Sequence, residues 1–534
     1  MADRSPEVAE DVDVVVVGAG ILGIYQLYRA REAGFTVRLL EQGNGVGGTW
    51  YWNRYPGCRF DSESYTYGYL FSEELWRDWE WSEEFAGQPE TERYLNHVTD
   101  RFDLRRHIRF GSKVVAAVWD EESAGWTLNT EDGHIVRARH FVSTTGVLSV
   151  PQFPDVPGRE DFAGEAYHTG LWPKEPVDFR GKRVAVIGTG SSGVQIAPAI
   201  ADEVATLTVY QRTPSWATPL NNKPISAERQ AELKAEFASI KETLEASNVG
   251  FLHEAHDRKT FEDTPEEREA FYEKIWRSPG FAKMTTNYTD MMLDDEANAE
   301  FCAFLEKKIR SLVDDEETAD KLIPRNHAYG GLRPPFVTGY FEMFNKPHVE
   351  LVSLREEPIT RVTETGVETA KGLREYDIIV WATGFDFGTG ALRRMGVTGT
   401  DGLELTEKWA DGPITWIGVM ASGFPNLFFP GGPHGAAGNN PRYGGTQVDF
   451  VTELLVHARD HGKRRIEVPR HAEEAWMTMI ENFRQYSRFE EHGQYYGGNT
   501  AGKAKAFLLN PGGKPKMMEA IGEAVSSGYQ GFLS

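Results

Sequence analysis

The chain carries only 2 cysteines, Cys58 and Cys302, in 534 residues. Two thiols so distant in sequence make neither a disulfide framework nor a C-x-x-C redox motif, and they fit a reducing cytosol. Positive charge is scarce as well: 57 Lys and Arg stand against 80 Asp and Glu, a net charge of −23. That balance argues against nucleic acid or an anionic membrane surface as a partner. No apolar run approaches the ~18 residues of a membrane span, and the acidic start MADRSPEVAEDVD does not read as a signal peptide. The expectation is a cytoplasmic protein without membrane or nucleic-acid partners, for which a monomer is compatible. Tandem repeats and low-complexity tracts are missing too, and a composition that is 40% hydrophobic and 12% aromatic excludes disorder. At ~150 residues per domain the length corresponds to two to four units. Glycine is plentiful at 54 residues, above the ~7% average, which points to tight backbone turns.

The first of these turns follows a continuous β-branched run. Asp13-Val14-Val15-Val16-Val17 reads as a central parallel strand, apolar on both faces. Gly18-Ala19-Gly20-Ile21-Leu22-Gly23 comes directly after it, then a helical pattern to Gly34, then the strand TVRLLE ending at Glu41. Gly18 permits the tight turn, Gly20 lets backbone approach a pyrophosphate, and Gly23 lets helix and strand pack closely. Phosphates then sit at the helix N-terminus, and Glu41, 21 residues past Gly20, takes ribose hydroxyls.

The pattern returns downstream. Val184-Ala185-Val186-Ile187 leads into Gly188-Thr189-Gly190-Ser191-Ser192-Gly193 and an apolar helix. The next strand, TLTVYQ, ends in Arg212-Thr213, with Arg212 22 residues past Gly190. A cation where the first site has Glu41 is the switch that suits a ribose 2′-phosphate; the bland alternative is a solvated strand end. The first site is therefore assigned FAD and the second NADPH. Two further apolar strands, HFVSTTG (140–146) and YDIIVWATG (376–384), end in Thr-Gly and would close the two units. Two dinucleotide sites in one chain imply electron transfer between cofactors, hence a flavoprotein.

Two motifs narrow the class. Residues 162–173, FAGEAYHTGLWP, match F-x-G-x-x-x-H-x-x-x-W-[PD] just before the second glycine turn. Residues 48–61, GTWYWNRYPGCRFD, match G-x-W-x4-[FY]-P-[GM]-x3-D. With both glycine turns, the chain resembles the type I Baeyer–Villiger monooxygenases from about residue 10 to its C-terminus. The resemblance implies an α/β fold of two nested Rossmann-like dinucleotide-binding domains, for FAD and NADP, with a helical insertion. It implies that NADPH reduces FAD, that O2 gives a C4a-peroxyflavin, and that a ketone substrate becomes an ester or lactone. Placed by the same resemblance, Gly18, Gly20, Gly23, Glu41, Gly48, Thr49, Trp50, Asp61 and Tyr67 fall beside FAD. Gly188, Thr189, Gly190, Ser191, Ser192, Gly193, Arg212 and Thr213 fall beside NADP, and no metal is involved. The family's active-site arginine falls on Arg333, within GLRPPFVTGYFEMFN (331–345), and the aspartate that orients it falls on Asp61. A fixed cation is what an anionic peroxide and an adduct oxyanion need. His168 of the fingerprint is expected to couple domains and not to transfer protons. The alternatives are a flavin enzyme oxygenating N or S, which carries a different motif before the second turn, and a non-catalytic flavin-binding redox protein.

Three departures from the family are visible. Leu332 stands where many relatives have lysine, and Gln494 stands where they often have tryptophan. Both touch the NADP side, so the preference for NADPH over NADH is expected to be weaker than usual and to rest on Arg212 and Thr213. The segment 432–445, GPHGAAGNNPRYGG, is rich in small residues and suggests a roomier or more mobile wall of the ketone pocket. His434 and Arg442 within it are candidates to contact substrate, flavin phosphate or solvent. The expected organisation is 1–147 and 385–534 for FAD, 148–220 and 330–384 for NADP, and a helical insertion over 221–329. In that insertion Leu233, Phe237, Ile240 and Leu244 recur at helical spacing, Thr264-Pro265-Glu266-Glu267 is a capping box, and 294–313 reads as an amphipathic helix.

Overall fold

Val14, Val15 and Val16 are fully buried, so the strand that carries them, β1 (Glu10–Val17), lies inside a sheet. The computed structural model describes residues 9–435, 438–487, 489, 496–497 and 503–534. β1 pairs in parallel with β2 (Val37–Leu40) and with β3 (Ile135–Ser143), and helix α1 (Ile21–Glu32) makes the crossover from β1 to β2. The strands Val114–Asp120 and Gly125–Thr130 extend this sheet antiparallel beside β3. Two short strands from much later in the chain join it. Leu427–Phe428 pairs in parallel with β3, and Val397–Thr398 pairs with Val114–Asp120.

A second sheet is wholly parallel. It contains β4 (Glu165–His168), β5 (Arg183–Ile187), β6 (Thr206–Gln211), β7 (Val349–Ser353) and β8 (Ile378–Trp381), in the order β7-β6-β5-β8-β4. Helix α2 (Ser191–Ile200) joins β5 to β6, as α1 joins β1 to β2. The mixed α/β architecture, with Rossmann-like units built on parallel strands, is the class the sequence predicts.

Between β6 and β7 the chain forms helices, including Ala227–Ala235, Phe237–Ala246, Pro265–Arg277 and Asp295–Leu312. Leu233, Phe237, Ile240 and Leu244 form one buried cluster. The capping box at Thr264 is present: Thr264 Oγ1 accepts from the Glu267 N–H (3.3 Å), and Glu267 Oε2 accepts from the Thr264 N–H (2.9 Å).

One element begins earlier than the sequence pattern indicates. Helix α3 starts at Asn440 and runs to Asp460, taking up the end of the supposed glycine-rich loop. Pro441 in its first turn suits the fixed φ of a helix start. Gly444 has a packing reason, since a Cβ there would lie 2.5 Å from the Leu22 side chain of α1. The Tyr25 hydroxyl donates to Asp449 (2.7 Å) and Gln26 donates to Thr452 (3.1 Å), locking α1 to α3.

Candidate functional site

The two glycine turns have matching construction. Gly18 (φ +103°) and Gly188 (φ +112°) adopt backbone that favours glycine. A Cβ on Gly23 would lie 1.8 Å from the Gly18 carbonyl oxygen, and one on Gly193 would lie 1.9 Å from that of Gly188. These four positions are glycine for reasons internal to the protein. The middle glycines differ. Gly20 and Gly190 have ordinary extended backbone, and a Cβ on Gly190 would meet nothing within 4 Å. On Gly20 it would make only an ordinary contact, with Gly48 Cα at 3.6 Å. Each caps a helix that has no side-chain cap, so first-turn amides point into that open space. This is a cradle that a Cβ would fill and that a phosphate group fits.

Around the first turn, Glu41 is buried, with Oε2 accepting from the Ala19 N–H and Oε1 from the Gly43 N–H, each at 2.7 Å. Burial raises its pKa against those two bonds. Each oxygen keeps a second lone pair for a further donor. Thr144, at the end of β3, donates to the Gly18 carbonyl (2.9 Å) and holds the turn from behind. Gly48 and Thr49 open the short helix Thr49–Trp52. Trp50 Nε1 donates to the Tyr67 hydroxyl (2.9 Å), and Phe60 stacks on Tyr67 at 4.4 Å.

Around the second turn, Thr189 Oγ1 donates to the Thr213 carbonyl (3.2 Å), which brings the end of β6 against the glycine turn. Arg212 beside it is exposed. Among the described residues no carboxylate pairs with it. An uncommitted cation next to a phosphate-shaped cradle suits a second phosphate group.

The segment 55–61 spans the two halves. Gly57 lies so close to α2 that a Cβ would sit 2.6 Å from the Gln195 carbonyl oxygen. The Tyr55 hydroxyl donates to Gln195 Oε1 (2.8 Å), and Gln195 Nε2 donates to the Arg59 carbonyl (3.1 Å). The fingerprint motif joins the same contact, since the Trp172 N–H donates to the Trp52 carbonyl (3.3 Å).

Arg333 occupies this junction. One guanidinium nitrogen donates to Asp61 Oδ2 and the other to Ser191 Oγ (2.6 Å), so one cation bridges the 48–61 motif and the first residue of α2. Phe281 lies beneath the guanidinium, 5.5 Å from the ring centre to Cζ. Asp61 is buried, which raises its pKa, while Arg333 pulls it back. Asp61 Oδ1 is a buried oxygen without a hydrogen-bond partner among the described residues, and so fits a further donor. The sequence names Arg333, Asp61 and Ser191 separately. It gives no sign that Ser191 holds the arginine or that Phe281 supports it, because both contacts depend on the packing of segments far apart in the chain.

Other expectations are modified. His434 is buried away from solvent: its Nε2–H donates to the Phe507 carbonyl (2.8 Å), and Nδ1 lies 3.1 Å from Thr415 Oγ1. Arg442 donates to the Gly68 carbonyl (2.5 Å), and burial lowers its pKa to about 10. Both serve to fasten protein segments. Gln494 lies outside the described residues. Lys503, just beyond, donates to Asp386 Oδ1 (2.6 Å).

His168 is buried with Nδ1 accepting from the Gly170 N–H (2.9 Å). Burial lowers its pKa to about 4, that of His434 to about 4 and that of His140 to about 3. All three fall below the unfolded value of 6.5, so stability is full above that pH and declines as pH drops toward the folded-state values. At pH 5 each of these buried rings costs about 2 kcal/mol. The melting temperature should therefore fall between pH 7 and pH 5, with His140→Gln flattening part of the slope. An unchanged melting temperature over that interval contradicts this reading.

The fold and the two turns define an oxidoreductase-type chain with two dinucleotide sites. Residues 15–281 match the family described as pyridine nucleotide-disulphide oxidoreductase. Disulphide chemistry itself has no support here, because Cys58 and Cys302 are both free and burial raises their pKa values to about 12 and about 11. Acetone monooxygenase (methyl acetate-forming) of Gordonia sp. is 39% identical, covering 98% of this chain and 98% of its own. A Baeyer–Villiger monooxygenase of Pseudooceanicola batsensis is 35% identical over 99% and 98%. The crystal structure of OTEMO in complex with FAD and NADP has a TM-score of 0.95 at 38% identity, covering 99% of this chain and 100% of that one. The chain belongs to the Baeyer–Villiger monooxygenases.

Proposed function

We propose that the chain converts a ketone, O2, NADPH and a proton into an ester or lactone, NADP+ and water, using FAD. The observation that carries this reading is the Arg333 guanidinium shared between Asp61 and Ser191 at the junction of the two glycine-turn units. FAD, when bound, supplies the chemistry by which electrons from NADPH activate O2. Gly18, Gly20, Gly23, Glu41, Gly48, Thr49, Trp50, Asp61 and Tyr67 would hold FAD. Gly188, Thr189, Gly190, Ser191, Ser192, Gly193, Arg212 and Thr213 would hold the nicotinamide nucleotide, and Arg333 lies between the two groups.

Arg333 supplies a fixed positive charge for oxygen that becomes negative during insertion, and its guanidinium stays protonated at any working pH. Asp61 and Ser191 fix its direction, and the Phe281 ring keeps one side of it dry. In this assignment 1–147 with 385–534 forms the FAD unit and 148–220 with 330–384 the NADP unit, while 221–329 covers the junction. Among the described residues no helix is long and apolar enough to cross a membrane. With two free thiols, that fits a cytoplasmic enzyme.

The test is to supply the purified FAD-loaded protein with NADPH and a panel of cyclic, linear and aryl ketones, and to weigh the products. Products one oxygen heavier than the ketone, hydrolysing as esters, are expected. Oxygen delivered only to amines or sulfides overturns the reading. Arg212→Ala should raise KM for NADPH by about tenfold or more while leaving NADH nearly unaffected, as expected when one charge-assisted phosphate contact is lost. Steady-state kinetics with both nucleotides checks this, and an equal loss for the two removes the 2′-phosphate from Arg212.

A further inference from the structure

In the assignment above the chain crosses between the FAD and NADP units twice, and each crossing starts beside a glycine turn. Thr144, just past β3, packs behind Gly18, where a Cβ would lie 2.8 Å from the Thr144 carbonyl oxygen. Ala382, just past β8, packs behind Gly188 in the same way, with 2.4 Å between its carbonyl oxygen and a Cβ there. The stretches that follow, 147–152 and 383–388, run antiparallel and are tied together. The Gln152 N–H donates to the Gly384 carbonyl (2.9 Å), the Asp386 N–H to that of Val150 (2.8 Å) and the Gly388 N–H to that of Val147 (3.1 Å). A two-stranded ribbon is marginally stable by itself, so what braces it sets how firmly the two units are held.

Asp386 is the point where a third segment grips this ribbon. Lys503 Nζ donates to Asp386 Oδ1 (2.6 Å) and to the Phe387 carbonyl (2.9 Å), and each side chain of the ion pair is only 6% exposed. Arg394 donates to the other carboxylate oxygen (2.7 Å) from a half-exposed position. Burial raises the pKa of Asp386, and Lys503 and Arg394 together bring it below the ordinary value. The residues after Lys503 hold to the FAD unit. The Phe507 carbonyl accepts from His434 Nε2–H and the Leu508 carbonyl from the His434 N–H, each at 2.8 Å. Leu508 also reaches the ribbon, since a Cβ on Gly388 would lie 2.8 Å from its Cδ1. Residues 503–508 thus form a strut from the body of the FAD unit to the ribbon that leads to the NADP unit.

We propose that Lys503 is a positioning residue: by gripping Asp386 it fixes the angle between the FAD and NADP units, and with it the approach of the nicotinamide to the flavin. The proposal rests on the cofactor assignment of the two units above. Lys503→Met keeps the length of the side chain and removes the grip. Asp386, still buried, is then left with Arg394 alone.

In the FAD-loaded full chain, flavin reduction by NADPH is followed without oxygen. Distances between the units are measured with spin labels at the exposed positions Glu122→Cys and Ala370→Cys, with Cys302→Ser in the background. Lys503→Met should lower the limiting reduction rate by about tenfold, the scale of a sub-ångström misplacement, with Kd for NADPH within about threefold. The label distances should broaden and the melting temperature should fall. Lys503→Met combined with Asp386→Asn removes the stranded charge, so its melting temperature should recover in part while the rate stays low and the distances stay broad. A parental reduction rate or parental label distances in Lys503→Met overturns the proposal. So does a double variant whose rate recovers along with its stability, or a loss expressed in Kd alone. A parent flavin that NADPH does not reduce is a separate result, visible before any variant is compared, and it sinks the cofactor assignment and this proposal with it.

Discussion

Arg333→Ala should reduce kcat/KM for ester formation by about 10³-fold, roughly 4 kcal/mol of lost transition-state stabilisation. The protein should still fold and bind FAD, because the residue sits between elements whose own cores are complete. Removing the guanidinium leaves Asp61 buried without its cation, so the local charge becomes negative where positive charge is needed. NADPH should still be consumed, with its electrons appearing as hydrogen peroxide. Arg333→Lys tests geometry separately from charge. An ammonium on a flexible stem presents a point charge and not a planar fork, so it cannot reproduce the bond to Asp61 together with that to Ser191. It should recover about tenfold of the loss and no more. Product quantification against NADPH consumed checks both variants. An Arg333→Ala enzyme that forms ester at the parental rate would remove the residue from the chemistry.

Gly190→Val should weaken NADPH binding by about 100-fold or more while leaving the melting temperature almost unchanged. Gly190 has φ −76°, which any residue adopts, and a side chain there would meet no protein atom within 4 Å. The protein alone gives no reason for glycine at this position, so the cost of a side chain falls on whatever approaches the helix end. Gly193→Ala makes the contrast. Its Cβ would lie 1.9 Å from the Gly188 carbonyl oxygen, so that variant should lose stability itself. Calorimetric titration with NADPH and thermal melting, run on both variants, separate the two effects. Parental NADPH affinity in Gly190→Val would show that the phosphates bind elsewhere.

The parts of the fold that the sequence reveals are those governed by local rules. A β-branched run, a glycine turn and a helix occupy neighbouring residues, so β1–α1 and β5–α2 can be recognised from a short window. Asp61 and Arg333 are legible only by resemblance, because their contact closes over 272 residues. Local rules do not reach the places where burial decides the outcome. His434 looks like a pocket residue in a glycine-rich segment, yet residues 507–508 fold over it and take its hydrogen bonds. The start of α3 is hidden because Asn-Pro and Gly-Gly read as a loop, while packing of Gly444 against Leu22 makes them helical.

The most direct test of oxygen insertion is a turnover under heavy-isotope dioxygen with a ketone that the unmodified enzyme accepts, followed by mass analysis of the product fragments. The account predicts one labelled oxygen per ester, in the bridging position between the carbonyl carbon and the migrated group, with the carbonyl oxygen unlabelled. Unchanged ketone, with the label confined to water and hydrogen peroxide, would contradict it.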